Sequence, residues 1–152
     1  MPHTNAQPLI DLGVLSGQIG HALRRAHAAV FQDFAATLEA ESIRPAQHSV
    51  LEVLRASPGL RQAQVAAALG IKTTNFVPLF DALEAAGLAE RRAISDDRRA
   101  RGLFLSDRGA AMLDRLRAGV AAHEARFAAR LGTDGKLLLL GLLARLQDPA
   151  FD

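Results

Sequence analysis

Residues 88–109 constrain the fold more than any other part of this chain. The segment reads LAERRAISDDRRARGLFLSDRG: an apolar start, arginines, a turn-like Ser-Asp-Asp at 95–97, more arginines and an apolar run. The charges and turn residues interrupt the 3.6-residue period of a helix, whereas Leu103 and Leu105 share one face at the two-residue period of a strand. The sequence therefore predicts two short strands joined by a basic loop.

Helical patterns flank this hairpin on both sides. After it, Ser106 is expected to be the N-cap of an amphipathic helix over 107–131. Before it, helices are predicted over 45–57, with Pro45 at the first position, and over 61–69. Gly70 would close the second of these, and Thr73 or Thr74 would cap a further helix that runs to residue 86. Two short helices joined by a glycine-containing turn are typical of a helix-turn-helix.

The two ends of the chain carry apolar helices. One long helix is predicted over 9–40, where Gly13, Gly17 and Gly20 either weaken its start or allow another backbone to approach closely. The last helix, capped by Thr133 or Asp134, is apolar on nearly all sides between 137 and 143. A second copy of the chain is the simplest cover, so residues 137–146 and 9–15 are expected to interleave across a two-fold axis.

Composition narrows the functional classes. The net charge is only +2, but residues 91–101 hold five arginines against two acids, and such a concentrated patch favours nucleic acid as the partner. The absence of cysteine excludes disulfides and cysteine-based metal sites. No secretory signal or membrane-spanning segment is visible, so a cytoplasmic location is expected. No catalytic motif, metal-ligand spacing or cofactor loop is found, which argues against an enzyme and against a zinc site built from the histidines.

Four short motifs give the chain a family resemblance. They are Leu-Gly-Ile at 69–71, Leu-Glu-Ala-Ala-Gly-Leu at 83–88, Asp-Arg-Arg at 97–99 and Leu-Ser-Asp-Arg-Gly at 105–109. Their order and spacing resemble those of the MarR family of winged-helix regulators. Seven residues after the wing arginine, that family has a threonine that opens a helix. Here Ser106 takes its place and keeps the capping hydroxyl.

The resemblance implies an architecture and a function. The fold would be mainly α with a small β-hairpin wing, a winged helix-turn-helix joined to a helical dimerisation domain. Residues 45–106 would form the DNA-binding domain, and residues 1–44 and 107–152 the dimerisation region. The protein would be a homodimeric, ligand-responsive repressor that binds a pseudo-palindromic site in double-stranded DNA. A winged-helix protein that binds DNA without an effector, and a winged-helix module that binds protein, are the alternatives.

The resemblance also implies a set of DNA contacts. Arg99 would enter the minor groove from the wing, and Asp97 would orient the loop by pairing with an arginine such as Arg101. Lys72 would contact a phosphate just before the recognition helix. Pro78 would either stiffen the start of that helix or kink it. The full expected set is Lys72, Thr73, Thr74, Asn75, Pro78, Asp97, Arg98, Arg99 and Arg101.

An effector site is expected between the dimerisation helices and the winged domain, where members of the family bind small aromatic carboxylates. Arg24, His27 and Phe31 lie on the first helix at helical spacing, and His48 lies on the second. A cation, two imidazoles and a phenyl ring suit an anionic ring compound. The alternative is that these residues are interface packing and solvated surface. Asn-Phe-Val at 75–77 resembles branches of the family that govern aromatic-acid or aryl-CoA catabolism.

Overall fold

The computed structural model describes residues 10–94 and 101–148, and it is a mainly helical fold with one two-stranded sheet. The expected fold class is therefore confirmed. Short 3-10 turns lie at Gly13–Gly17 and Glu39–Glu41. In chain order the helices and strands are α1 Ile19–Leu38, α2 Pro45–Ala56, α3 Gln62–Ala68, α4 Thr73–Ala85, β1 Ala89–Ala93, β2 Arg101–Leu105, α5 Asp107–Leu131 and α6 Gly135–Leu146.

The first helix starts later than predicted. Instead of one helix over 9–40, a 3-10 turn comes first, and the extended backbone of Gln18 (φ −90°, ψ 128°) separates it from α1. Gly13 has a positive φ of 51°, which an α-helix does not accommodate. The glycines at the start of the pattern thus remove helical stability where little packing replaces it, since none of residues 13–17 is buried.

The hairpin forms as predicted and is anchored to the helices. Strands β1 and β2 pair antiparallel, with Ala89 opposite Leu105 and Arg91 opposite Leu103. Leu103 is buried, and its backbone N–H donates to the carbonyl of Leu60 at 2.9 Å. Its carbonyl accepts from the N–H of Gly59 at 2.8 Å, so the segment between α2 and α3 continues the sheet by one bridge.

The junction between the hairpin and α5 explains the Leu-Ser-Asp-Arg-Gly motif. The Ser106 hydroxyl accepts from the Gly109 N–H at 3.0 Å, as expected of an N-cap, and donates to the Gly87 carbonyl at 2.7 Å. A Cβ on Gly109 would lie 2.1 Å from the carbonyl oxygen of Leu88 and 2.7 Å from Leu105 Cδ1. Glycine is required there because the backbones of α5 and of the residue before β1 are in contact, so no side chain fits between them.

One apolar core lies under the helix-turn-helix and the hairpin. It draws its fully buried side chains from α1, α2, α3, α4, β2 and α5, and the largest are Leu38, Val50, Leu51, Leu54, Val65, Phe76, Phe80, Leu83, Leu103 and Leu113. No residue of α6 is buried. Leu137 and Leu138 in that helix are 74% and 64% exposed. The core of the single chain therefore stabilises the winged region and leaves the last helix uncovered.

Candidate DNA-binding surface and effector site

Helix α4 begins one or two residues earlier than the sequence indicated. Lys72 is its N-cap, with extended backbone angles (φ −60°, ψ 137°), and its carbonyl accepts from the N–H groups of Asn75 and Phe76 at 2.9 and 3.0 Å. The expectation that Thr73 or Thr74 caps the helix is therefore wrong, because both already have helical geometry. Their exposed side chains, with that of Asn75, project from the first turn without a capping role.

Pro78 lies inside α4 and does not interrupt it. The helix continues from Thr73 to Ala85, and Pro78 is exposed in the second turn. A proline at this position removes the bond that its N–H would give to the carbonyl of Thr74, four residues earlier. One missing bond near the start of a packed helix is tolerated, so the helix is not broken at this position.

The buried face of α4 fixes which residues point outward. Phe76, Phe80 and Leu83 are fully buried, and the two phenylalanine rings stack with centroids 6.0 Å apart. Because this face packs into the core, it fixes the orientation of α4 about its own axis. Residues 72–75 are therefore left exposed to solvent. The turn before α4 is equally defined, because Gly70 (φ 62°) ends α3 as predicted and the Ile71 N–H returns to the Ala66 carbonyl at 2.9 Å.

Ion pairs within the protein neutralise part of the hairpin's positive charge, so less of it is available to DNA than the sequence implied. Arg91 pairs with Asp81 and Glu84 of α4, and Arg92 pairs with Glu90. Arg101 is exposed at the start of β2. The expected contacts Asp97, Arg98 and Arg99 lie outside the described residues, and so does the proposed pairing of Asp97 with Arg101.

A buried polar contact joins α1 to α5. His123, only 3% exposed, places Nδ1 2.6 Å from Oδ2 of Asp33, and Arg126 donates to the same oxygen at 2.6 Å. The hydrogen bond from His123 and then that from Arg126 hold the pKa of Asp33 below its ordinary value. Asp33 and His123 are 90 positions apart in sequence, and no local pattern marks them as partners.

Phe34 links this contact to α2. Its ring lies edge-on to His48 at 5.3 Å and tilted against His123 at 4.9 Å. Burial lowers the pKa of the His48 imidazole, which the carboxylate of Glu52 at 3.6 Å opposes. The sequence pattern pointed to His48 but not to Phe34, whose ring contacts both His48 and His123.

The expected effector residues divide into two groups. His27 and Phe31 are exposed on α1 and stack with ring centroids 4.0 Å apart, and Arg24 is exposed one turn earlier. His48 is buried on α2 against Phe34. The first three residues therefore form an exposed surface, and His48 lies at the seam where α1, α2 and α5 meet.

The terminal helices enclose an apolar groove. A cavity of about 380 Å³ lies between α1 and α6, lined by Ile19, Leu23, Leu139, Leu142, Leu143, Arg145 and Leu146. Over residues 10–94 and 101–148, no helix is both long and apolar enough to cross a membrane. Across the same two ranges, no three histidine or acidic side chains converge as metal ligands would.

These features define a class of protein. A helix-turn-helix whose second helix exposes a polar first turn, followed directly by an antiparallel hairpin, is a winged-helix DNA-binding domain. The sequence profile of the MarR family matches residues 42–100. A protein of Thauera aromatica described as a transcriptional regulatory protein for the hcr operon is 33% identical over 135 residues, 88% of this chain and 81% of the relative. The chain belongs to the MarR family of transcriptional regulators.

Two solved structures are similar over nearly the whole chain. The transcriptional repressor CouR bound to a 23-mer DNA duplex superposes with a TM-score of 0.86 at 42% identity, covering 92% of this chain and 99% of CouR. CouR bound to p-coumaroyl-CoA superposes with a TM-score of 0.84 at 39% identity, covering 93% and 99%. The similarity thus extends through the terminal helices as well as the winged region.

Proposed function

We propose that this chain is a homodimeric transcriptional repressor that leaves its operator when an aromatic acyl thioester of coenzyme A binds. The observation that carries the proposal is the 42% identity, over 92% of the chain, to a repressor that has been solved with a DNA duplex and, separately, with p-coumaroyl-CoA. The chain would act in the cytoplasm by binding alone, without a catalytic step.

The DNA contacts would come from two places. Lys72, Thr73, Thr74 and Asn75 are exposed at the start of α4, where the N-terminal residues of a recognition helix meet base edges and phosphates. Pro78 is exposed one turn further along the same helix. The second place is the hairpin, from which Arg98, Arg99 and Arg101 would reach the minor groove with Asp97 orienting the loop.

The dimer would form through the terminal helices. Leu137, Leu138 and Leu140 are exposed on α6, and Ile10 and Val14 are exposed before α1. So many exposed apolar side chains favour association in water, and a second copy would cover them with the same residues across a two-fold axis. The two recognition helices would then be spaced for half-sites about 34 Å apart, or a multiple of that distance.

The effector would bind where α1 faces the winged region. The stacked rings of His27 and Phe31 provide a flat surface for an aromatic acyl group, and Arg24 is one turn away for a phosphate or carboxylate. Phe34 lies about one turn beyond Phe31 on α1 and packs edge-on against His48 of α2. A ligand that shifts α1 at this seam would therefore also displace α2, the first helix of the winged region.

Release from DNA tests the proposal directly. The probe is a fluorescent duplex that the full-length protein selects from random-sequence DNA, and anisotropy follows its release by p-coumaroyl-CoA, by coenzyme A and by p-coumarate. We expect the thioester alone to release the duplex. Release by p-coumarate would make the effector a free aromatic acid, and no release would support a DNA-binding protein without this effector. Failure to select any duplex would favour the protein-binding alternative.

Two neighbouring arginines provide a matched pair for the effector site. Arg24 and Arg25 are both exposed on α1, but only Arg24 lies one turn from His27 on the predicted ligand face. Arg24→Ala should raise the thioester concentration that releases half of the duplex by about tenfold or more, the loss expected for one charge-assisted hydrogen bond. Arg25→Ala should leave that concentration and the affinity for DNA unchanged.

A further inference from the structure

A single arginine on β1 connects the recognition helix to the hairpin. The Arg91 guanidinium donates to Asp81 Oδ1 at 2.7 Å and also to Oε2 of Glu84, two residues spaced by one turn of α4. Glu84 Oε1 accepts from the backbone N–H of Arg91 at 3.0 Å. One carboxylate therefore binds both the side chain and the backbone of the same strand residue.

Aromatic packing completes the environment of this arginine. Its Cζ lies 4.6 Å from the centroid of the Phe80 ring, and Phe80 is fully buried in the core. The Arg91 side chain is only 21% exposed. A planar guanidinium held by two carboxylates and an aromatic face has one favoured orientation, because each partner restricts a different direction.

We propose that Arg91 is a positioning residue that sets the angle between the recognition helix and the wing, and that it is not itself a DNA contact. The inference rests on the proposed DNA-binding function and specifies how the two contact elements are held relative to each other. The charge of Arg91 is already neutralised by Asp81 and Glu84, so little of it is available to a phosphate. Its removal would leave the two carboxylates of α4 facing each other and the edge of β1 unattached.

The neighbouring Arg92 offers a matched control. It lies on the same strand with the same charge, is more exposed, and pairs within its own strand with Glu90. Its guanidinium lies over Phe104 of β2, so it contacts the hairpin and makes no ion pair with α4. Arg91→Gln and Arg92→Gln therefore remove the same charge from adjacent positions, but only Arg91→Gln removes the ion pairs between the hairpin and α4.

The first experiment compares these two variants in the full-length protein. The probes are the duplex that the wild type selects from random-sequence DNA and an unrelated duplex of equal length. Arg91→Gln should bind the selected duplex about tenfold more weakly than Arg92→Gln does, a loss of the size expected for one specific contact element, with the unrelated duplex affected equally by both. Hydroxyl-radical footprints should lose protection in the flanking minor grooves, whereas protection of guanine N7 from dimethyl sulfate in the major groove should remain. Equal affinities and equal footprints for the two variants would overturn the proposal.

A second variant should change the affinity for the selected duplex in the direction opposite to the one that simple electrostatics predicts. The double substitution Asp81→Asn with Glu84→Gln removes two negative charges from the DNA-binding domain, which by charge alone should tighten binding to every duplex. If Arg91 acts by positioning, binding to the selected duplex should weaken while binding to the unrelated duplex tightens. Glu90→Gln, which frees only Arg92, should tighten both. Tighter binding of the double variant to the selected duplex would refute the positioning role, whereas a wild type that selects no DNA would instead refute the proposed function.

Discussion

The winged region and the last helix of this chain both carry many apolar residues but reach opposite degrees of burial. Helices α2, α3 and α4 with β2 place Leu51, Val65, Phe76 and Leu103 in a core from which water is excluded. Helix α6, which is mostly leucine, buries no residue at all. The difference shows that hydrophobicity alone does not make a core. The first region finds its partners within one chain, and the second requires another chain.

The largest effect is expected inside the winged core. Phe76→Ala removes a fully buried ring that stacks on Phe80, and it should lower the free energy of unfolding by about 3–5 kcal/mol. Urea unfolding followed by circular dichroism measures this change. Val77→Ala, at the next and exposed position of the same helix, should change it by less than about 1 kcal/mol. Similar values for the two variants would mean that the winged core is not the main source of stability.

Substitutions in the terminal helices should change the oligomeric state of the protein and not the stability of the winged core. Leu138→Asp combined with Leu142→Asp places two charges one turn apart on the exposed face of α6. Sedimentation should then show a monomer, and operator affinity should fall at least about 100-fold because two half-sites are no longer bound together. Ala118→Asp adds a charge at an exposed position of α5 and should leave a dimer. A dimer that survives the leucine substitutions would place the interface elsewhere.

Much of the winged region could be predicted because its signals are local. Ser106 as a cap, Gly70 as a helix end and the two-residue period of β2 each depend on residues within a few positions of one another. The chemistry that sets a cap or a turn acts over that same range. The start of α1 was predicted wrongly because three glycines weaken a pattern whose apolar spacing is otherwise helical.

Contacts between distant residues were not predictable from one sequence. The binding of Arg91 to Asp81 and Glu84 requires the angle between a helix and a strand, and the pair Asp33 and His123 requires the packing of α1 on α5. Gly109 is a further example, since its motif was visible but the reason for the glycine is the Leu88 carbonyl against it. The residues that connect one helix or strand to another could therefore be identified only from the structure. The proposed division into 45–106 and the flanking segments stays a prediction.

A smaller effect is expected from the substitution that distinguishes phosphate contacts from base recognition in the winged region. Lys72→Ala removes an exposed charge at the N-cap of α4 without touching the core. It should weaken binding to selected and unrelated duplexes nearly alike and reduce the slope of log affinity against log salt by about one, since a phosphate contact carries no sequence information. Asn75→Ala should weaken mainly the selected duplex. A loss confined to the selected duplex for Lys72→Ala would assign this lysine to base recognition.

The smallest effect is expected at the seam between the two regions, where His48 is buried beside Phe34, Glu52 and Arg55. Burial lowers the pKa of His48 in the folded protein, so the unfolded chain takes up the proton first as the pH falls. Stability from the neutral imidazole is complete above about pH 6.5, the ordinary histidine value, and is lost as the pH falls from there towards the folded pKa. The lowered pKa of Asp33 acts only below about pH 4, near the ordinary aspartate value, so the two windows are separate. His48→Gln should therefore reduce the pH dependence of the melting temperature between pH 6.5 and 5 by the part that His48 contributes. An unchanged slope for His48→Gln would mean that the seam opens to water when this histidine is protonated, and that the two regions are less tightly joined than the buried rings indicate.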